Sequence, residues 1–103
     1  MKSVEISKLI MMVAIAFGEG ICECFVYEPK LPLEFTNGIK IKGKVVNFVA
    51  IGVYPDGTLS FWFKEENDKC SYLTLEEVKT YCPYLFVSII THIFDLIENV
   101  KES

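Results

Sequence analysis

The chain has 103 residues, of which 51% are hydrophobic, and a formal net charge of −4 with no arginine. This length fits one domain, residues 1–103, whose core needs no disulfide or metal ion for stability. The acidic charge and the missing arginine disfavour direct nucleic-acid binding, because arginine supplies bidentate contacts and positive charge attracts phosphates.

The first predicted element is a helix that begins near Ser3. Its core face recurs at helical spacing and consists of Ile6, Leu9, Ile10, Val13, Ala14 and Phe17. Gly18 and Gly20 favour a stop near Phe17. The apolar spacing nevertheless continues toward Tyr27, so both endings are compatible with the sequence.

The apolar run of this helix is predicted to be neither a membrane span nor a signal peptide. Glu19 and Glu23 interrupt it before the roughly 20 residues needed to cross a bilayer. Residues 9–17 imitate the hydrophobic region of a signal peptide, but the acidic Glu5 stands where such a peptide carries positive charge. We therefore expect a cytoplasmic protein without membrane contact, in which the four cysteines stay reduced.

The middle of the chain is predicted to form an antiparallel meander of three to four strands. Two prolines make residues 29–33 a connector, and alternation predicts a short strand over residues 39–42. β-Branched and aromatic residues predict longer strands over 45–54 and 58–64. The turn Pro55-Asp56-Gly57 joins these two strands into a hairpin.

A broken helix is predicted at the C-terminal end, and we expect it to pack on the sheet. Thr74 and Glu77 have the spacing of a capping box, at which a short helix begins. Pro83 suits the first turn of a second helix that runs to about Val100. One face of that helix is predicted to carry an apolar stripe of Phe86, Ile90, Ile93, Ile97 and Val100. Because no βα unit repeats, the element order predicts an α+β fold.

Three residues of the last predicted helix resemble a hydrolytic triad in composition. Ser88, His92 and Asp95 share one helical face. In a working triad, the base contacts the nucleophile through one nitrogen while a third group orients the other nitrogen of the base. One straight helix does not allow both contacts. We therefore expect a solvated helix face, no catalytic residue and no enzymatic activity.

The cysteines are the second candidate for chemistry. Cys22 and Cys24 form a C-x-C pair, but Cys70 and Cys82 are separated by eleven residues. A zinc site of cysteine ligands requires a second short spacing, so we expect no metal and no cofactor. A thiol-dependent activity of Cys22 and Cys24 stays an alternative that requires a lowered thiol pKa.

A surface for a protein partner is predicted on the first helix. Met11, Met12 and Ile15 lie away from the core face of that helix, which is therefore apolar on more than one side. Such a helix is covered either by its own domain or by another chain, and a small domain offers little second layer. Methionine adapts well to irregular contact surfaces.

The only tryptophan of the chain, Trp62, is the second candidate contact. On its predicted strand it shares a face with the polar Ser60 and Lys64. Two interpretations stay open: Trp62 is exposed at an interface, where tryptophan is enriched, or a helix covers it as part of the core. The acidic Glu65 and Glu66 that follow complete the candidate set.

These features favour a non-enzymatic protein that works through its surface, as a homodimer or as an inhibitor of a larger protein. Small acidic chains without motifs are frequent among phage and mobile-element inhibitors of host defence, such as anti-CRISPR proteins. This comparison is an analogy between classes of protein and rests on no shared residue pattern. The acids of such an inhibitor would occupy a basic nucleic-acid channel, and its binding would weaken with salt. The alternatives are a structural subunit or homodimeric adaptor of a larger assembly, and a small hydrolase or thiol-dependent enzyme.

Overall fold

A computed structural model of the chain describes the backbone of residues 3–102 and the side chains of residues 5–99. It confirms the predicted α+β fold. The first half comprises α1 (Ser3–Phe17), β1 (Glu19–Ile21), β2 (Cys24–Tyr27), α2 (Leu33–Thr36) and β3 (Ile39–Ile41). The second half comprises β4 (Lys44–Val53), β5 (Leu59–Glu65), β6 (Cys70–Leu73), α3 (Leu75–Tyr81) and α4 (Pro83–Glu102).

The strands form one antiparallel sheet in the order β1-β2-β4-β5-β6, and β3 also pairs with β4. Strand β2 pairs with the C-terminal end of β4, whereas β3 pairs with its N-terminal end. The predicted meander corresponds to β3, β4 and β5. Strands β1, β2 and β6 add to it, and each is too short to show a recognisable alternation in the sequence.

The first helix ends at Phe17, the earlier of its two predicted endings. Gly18 donates its amide to the Ala14 carbonyl at 2.8 Å and lies against β2. A Cβ atom at this position would lie 2.4 Å from the Ala14 oxygen and 2.6 Å from the Val26 oxygen. Only glycine permits this approach, so the chain turns here from α1 into the hairpin beside it.

Local signals account for the other turns and caps. Strands β4 and β5 pair on either side of Pro55-Asp56-Gly57, where Gly57 adopts a φ of +87°. Helix α3 begins at the predicted capping box, in which the Thr74 hydroxyl accepts from the Glu77 amide at 3.2 Å. The Glu77 carboxylate accepts in return from the Thr74 amide at 3.0 Å.

One hydrophobic core lies between the sheet and the helices. The sheet contributes alternate residues from one face of its two longest strands: Val46, Phe48, Ile51, Val53, Leu59, Phe61 and Phe63. The fully buried residues of α4 are Leu85, Ile89 and Ile93, of which Ile93 belongs to the predicted stripe. The other described members of that stripe, Phe86, Ile90 and Ile97, pack at the edge of the core. Val100 lies outside the described side chains.

All four helices lie on the core side of the sheet. Helix α1 contacts β1, β2 and β4, and α3 contacts β5 and β6, while α4 packs against the other three helices. The strand residues that alternate with the core positions, such as Gly52 and Trp62, do not belong to the core. Within residues 3–102, the opposite face of the sheet therefore carries no helix. None of the helices in this range has the length and apolar character needed to cross a bilayer.

Candidate functional site

The helix-free side of the sheet, called here the outer sheet face, carries an aromatic pair near the β6 edge. Trp62 on β5 pairs across the sheet with Tyr72 on β6, and their ring centroids are 5.1 Å apart. Trp62 is half-buried, whereas Tyr72 is 57% exposed. Of the two interpretations of Trp62, the structure therefore excludes the one in which a described helix covers it.

Small residues beside Trp62 let its indole lie along the sheet. A Cβ atom at Gly52 would lie only 3.2 Å from the indole Nε1, so the ring occupies the space that a side chain would need there. Ala50, the cross-strand neighbour of Trp62, and Ser60, two residues before it on the same strand, are each only 4% exposed. The ring is therefore held in place before any partner binds, which lowers the entropy lost on association.

The rest of the outer sheet face carries both apolar and charged residues. Ile21 and Val45 lie on the same face and are 48% and 39% exposed. By register, Glu19, Lys40 and Lys64 also lie on this face, and the Lys64 ammonium group forms an ion pair with Asp68 at 3.4 Å. The outer sheet face therefore combines an aromatic pair near its β6 edge with apolar and charged residues, and protein interfaces contain the same kinds of residue.

The candidate contacts on α1 lie on the helical side of the molecule, away from Trp62. Met12 and Ile15 are exposed, at 63% and 51%. Met11 instead is half-buried and packs against the core, with its methyl group near Gly57. The structure therefore leaves Met12 and Ile15 as free surface and places Met11 inside the fold.

The acidic candidates also lie apart from Trp62. Glu65 is opposite Val46 on the core side of the sheet and forms an ion pair with Lys44 at 3.3 Å. Its side chain is only 14% exposed, which leaves little of the carboxylate for a partner. Glu66 is exposed in the loop that follows. The six predicted contacts thus do not form one surface, and Tyr72, the neighbour of Trp62, was not among them.

A groove of about 580 Å³ lies on the helical side of the molecule. One wall is α4, and the other is residues 30–35, which comprise the end of the connector and most of α2. Its apolar lining consists of Leu31, Pro32, Phe35, Tyr84 and Val87. Its polar lining consists of Lys30, Ser88, Thr91, His92 and Asp95. The helix face expected to be fully solvated therefore forms one wall of this groove, and His92 on it is half-buried.

His92 connects α4 to the sheet through Tyr27. The phenol of Tyr27 and Nε2 of His92 are hydrogen-bonded, and the two rings stack with their centroids 5.9 Å apart. Burial lowers the pKa of His92, an effect that the nearby Asp95 carboxylate partly opposes. Burial also raises the pKa of Tyr27. Both side chains are therefore neutral at pH 7.

This arrangement differs from a hydrolytic triad. Among side chains 5–99, no hydrogen bond joins Ser88 to His92 or His92 to Asp95. Nε2 of the imidazole is hydrogen-bonded to Tyr27 and not to the Ser88 hydroxyl. These residues instead provide hydrogen-bonding groups to the wall of a groove.

The four cysteines lie in three separate places. Cys22 and Cys24 belong to the β1–β2 hairpin, Cys70 begins β6, and Cys82 is buried between α3 and α4. Burial raises the pKa of the Cys82 thiol to about 11. Among side chains 5–99, no three histidine, cysteine or acidic residues are grouped so that they could hold a metal ion.

No family model, curated protein or solved structure matches this chain. Its function is therefore inferred from the outer sheet face and the groove.

Proposed function

We propose that this chain is a non-enzymatic protein-binding domain that holds a protein partner against its outer sheet face. The observation that carries the proposal is the Trp62–Tyr72 pair, which lies on the side of the sheet without helices. Tryptophan and tyrosine are enriched among the residues that dominate binding energy at interfaces. A partner that covers the whole face would also bury the exposed Ile21 and Val45, which lie farther from the pair.

The position of the candidate acid Glu65 separates two versions of this function. An inhibitor that imitates nucleic acid needs exposed acids, and its affinity falls with salt. Glu65 is instead engaged with Lys44 on the other side of the sheet. For an inhibitor of the phage and mobile-element class, we therefore propose binding through the aromatic pair, with little dependence on salt.

Capture of a partner by matched variants tests the proposal. Immobilised wild-type protein, Trp62→Ala and Met12→Ala are incubated with a lysate of the source cells, and bound proteins are quantified by mass spectrometry. We expect a partner that wild type and Met12→Ala retain and Trp62→Ala loses. A partner retained by Trp62→Ala and lost by Met12→Ala would place binding on α1 and contradict the proposal.

A homodimeric adaptor is the second candidate, and the exposed edge strand β6 favours it. Residues Cys70–Leu73 pair on one side only, with β5, and Tyr72 lies on this edge. A second copy that paired along β6 would bring two Trp62–Tyr72 pairs together. Light scattering after size-exclusion chromatography tests this possibility. The wild-type protein should have the mass of a dimer, and the Trp62→Ala variant should have the mass of a monomer.

The free thiols fit the expected cytoplasmic location. Cys22 and Cys70 are exposed and unpaired, a state that persists in a reducing compartment. We therefore propose that the chain meets its partner in the cytoplasm. Localisation of a fluorescent fusion checks this.

A further inference from the structure

We propose that the groove between α4 and residues 30–35 binds a small neutral molecule in which an amide group is attached to a planar apolar body. The groove is separate from the outer sheet face, so this site is independent of the proposed protein-binding function. Its volume of about 580 Å³ lies within the range of roughly 300–1,000 Å³ that is typical of ligand pockets.

The walls of the groove favour a planar apolar body. Phe35 of α2 and Tyr84 of α4 contribute rings to the lining, and Pro32 and Val87 contribute aliphatic surface. Tyr84 is 78% exposed and Val87 is 60% exposed, so both have large apolar surfaces that a ligand would cover. Aromatic rings gain energy from stacking as well as from burial, which favours a flat ligand over a branched one.

The polar groups of the groove present a hydrogen-bond donor beside an acceptor. The Tyr27 hydroxyl and Nε2 of His92 are hydrogen-bonded, and we assign the phenol as the donor of this bond. Nδ1 of His92 then carries the ring proton and has no acceptor among side chains 5–99. Asp95 follows one helical turn later and offers a carboxylate. An amide matches this pair, because its carbonyl accepts from Nδ1 and its N–H group donates to Asp95.

The charges of the lining favour a neutral ligand. Lys30 and Asp95 are the two formally charged residues of the lining, and their charges are opposite. An anion would lie beside the Asp95 carboxylate, and a cation would lie opposite the Lys30 ammonium group. Either ligand would also lose water against apolar walls without a full countercharge. A neutral amide avoids both costs.

Benzamide, benzoate and benzamidine test the proposal, because they share size and shape but differ in charge. Each is titrated into ¹⁵N-labelled protein, and chemical-shift changes are followed by NMR. We expect benzamide to bind with a dissociation constant of about 1–10 mM, as its size permits. The changes should be centred on Ser88, Thr91 and His92. Benzoate and benzamidine should each bind about tenfold more weakly.

Variants locate the site. Tyr84→Ala and His92→Ala should each weaken benzamide binding about tenfold, and the high exposure of Tyr84 keeps the first variant folded. The matched control Tyr72→Ala, on the outer sheet face, should leave the affinity unchanged. The proposal is overturned if either charged probe binds as tightly as benzamide. It is also overturned if shifts centre outside the groove, if Tyr84→Ala binds like wild type, or if about 50 mM benzamide causes no shift.

Discussion

Replacement of Gly18 by alanine tests the packing that ends α1 and positions the β1–β2 hairpin. The added Cβ atom would lie 2.4 Å from the Ala14 oxygen and 2.6 Å from the Val26 oxygen, whereas such contacts are essentially never shorter than 3.0 Å. Both oxygens belong to the backbone, so α1 or β2 must move by about 0.5 Å. Forced backbone shifts of this kind cost about 1–3 kcal/mol, and we expect a loss near 3 kcal/mol.

Urea denaturation followed by Trp62 fluorescence measures this loss. With a slope of about 1.5 kcal/mol per molar urea, 3 kcal/mol lowers the midpoint by about 2 M. Gly20→Ala is the matched control, because its Cβ atom would lie 3.8 Å from the Phe25 ring, an ordinary contact. We expect that variant to stay within about 0.5 kcal/mol of wild type. Equal midpoints for the two variants would refute the close approach at Gly18.

Three further predictions concern His92, Cys82 and Thr74. His92 is the only histidine, and burial lowers its pKa from 6.5, so the unfolded chain takes up the proton first as the pH falls. The free energy of unfolding should therefore decrease from about pH 6.5 down to the lower pKa of the folded state. An NMR titration that gave His92 a pKa above 6.5 would contradict this. A thiol reagent should modify Cys22, Cys24 and Cys70 in the native protein and reach the buried Cys82 only after denaturation. Rapid modification of all four thiols in the native protein would contradict the burial of Cys82. Thr74→Ala removes the cap of α3 and should lower the free energy of unfolding by about 1 kcal/mol, whereas the exposed Thr91→Ala, within α4, should change it by less than half as much.

Local signals predicted those parts of the fold that depend on neighbouring residues. Thr74 and Glu77 form the capping box three residues apart, and Pro83 begins α4. The β1–β2 hairpin could not be predicted in this way, because Ile21 and Cys24 also fit the helical spacing of α1. The close approach of Gly18 to the Val26 carbonyl distinguishes the hairpin from a continued helix. This approach exists only after the hairpin has folded back onto α1, so the sequence around Gly18 does not reveal it.

The surfaces were less predictable than the fold because distant segments build them. Helical spacing placed Ser88, His92 and Asp95 on one face of a helix, and that is correct. The opposite wall of their groove comes from residues 30–35, and the partner of His92 is 65 residues away in sequence. Likewise, the neighbour of Trp62 belongs to the four-residue strand β6, which has no recognisable signal of its own.

The affinity of the captured partner for wild type and Trp62→Ala tests the central claim most directly. Isothermal titration calorimetry at two salt concentrations gives both dissociation constants, and circular dichroism verifies that the variant is folded. Loss of a central tryptophan commonly costs about 2 kcal/mol or more, so we predict binding at least about thirtyfold weaker, with little effect of salt. An affinity within about threefold of wild type would show that the partner binds elsewhere than the outer sheet face.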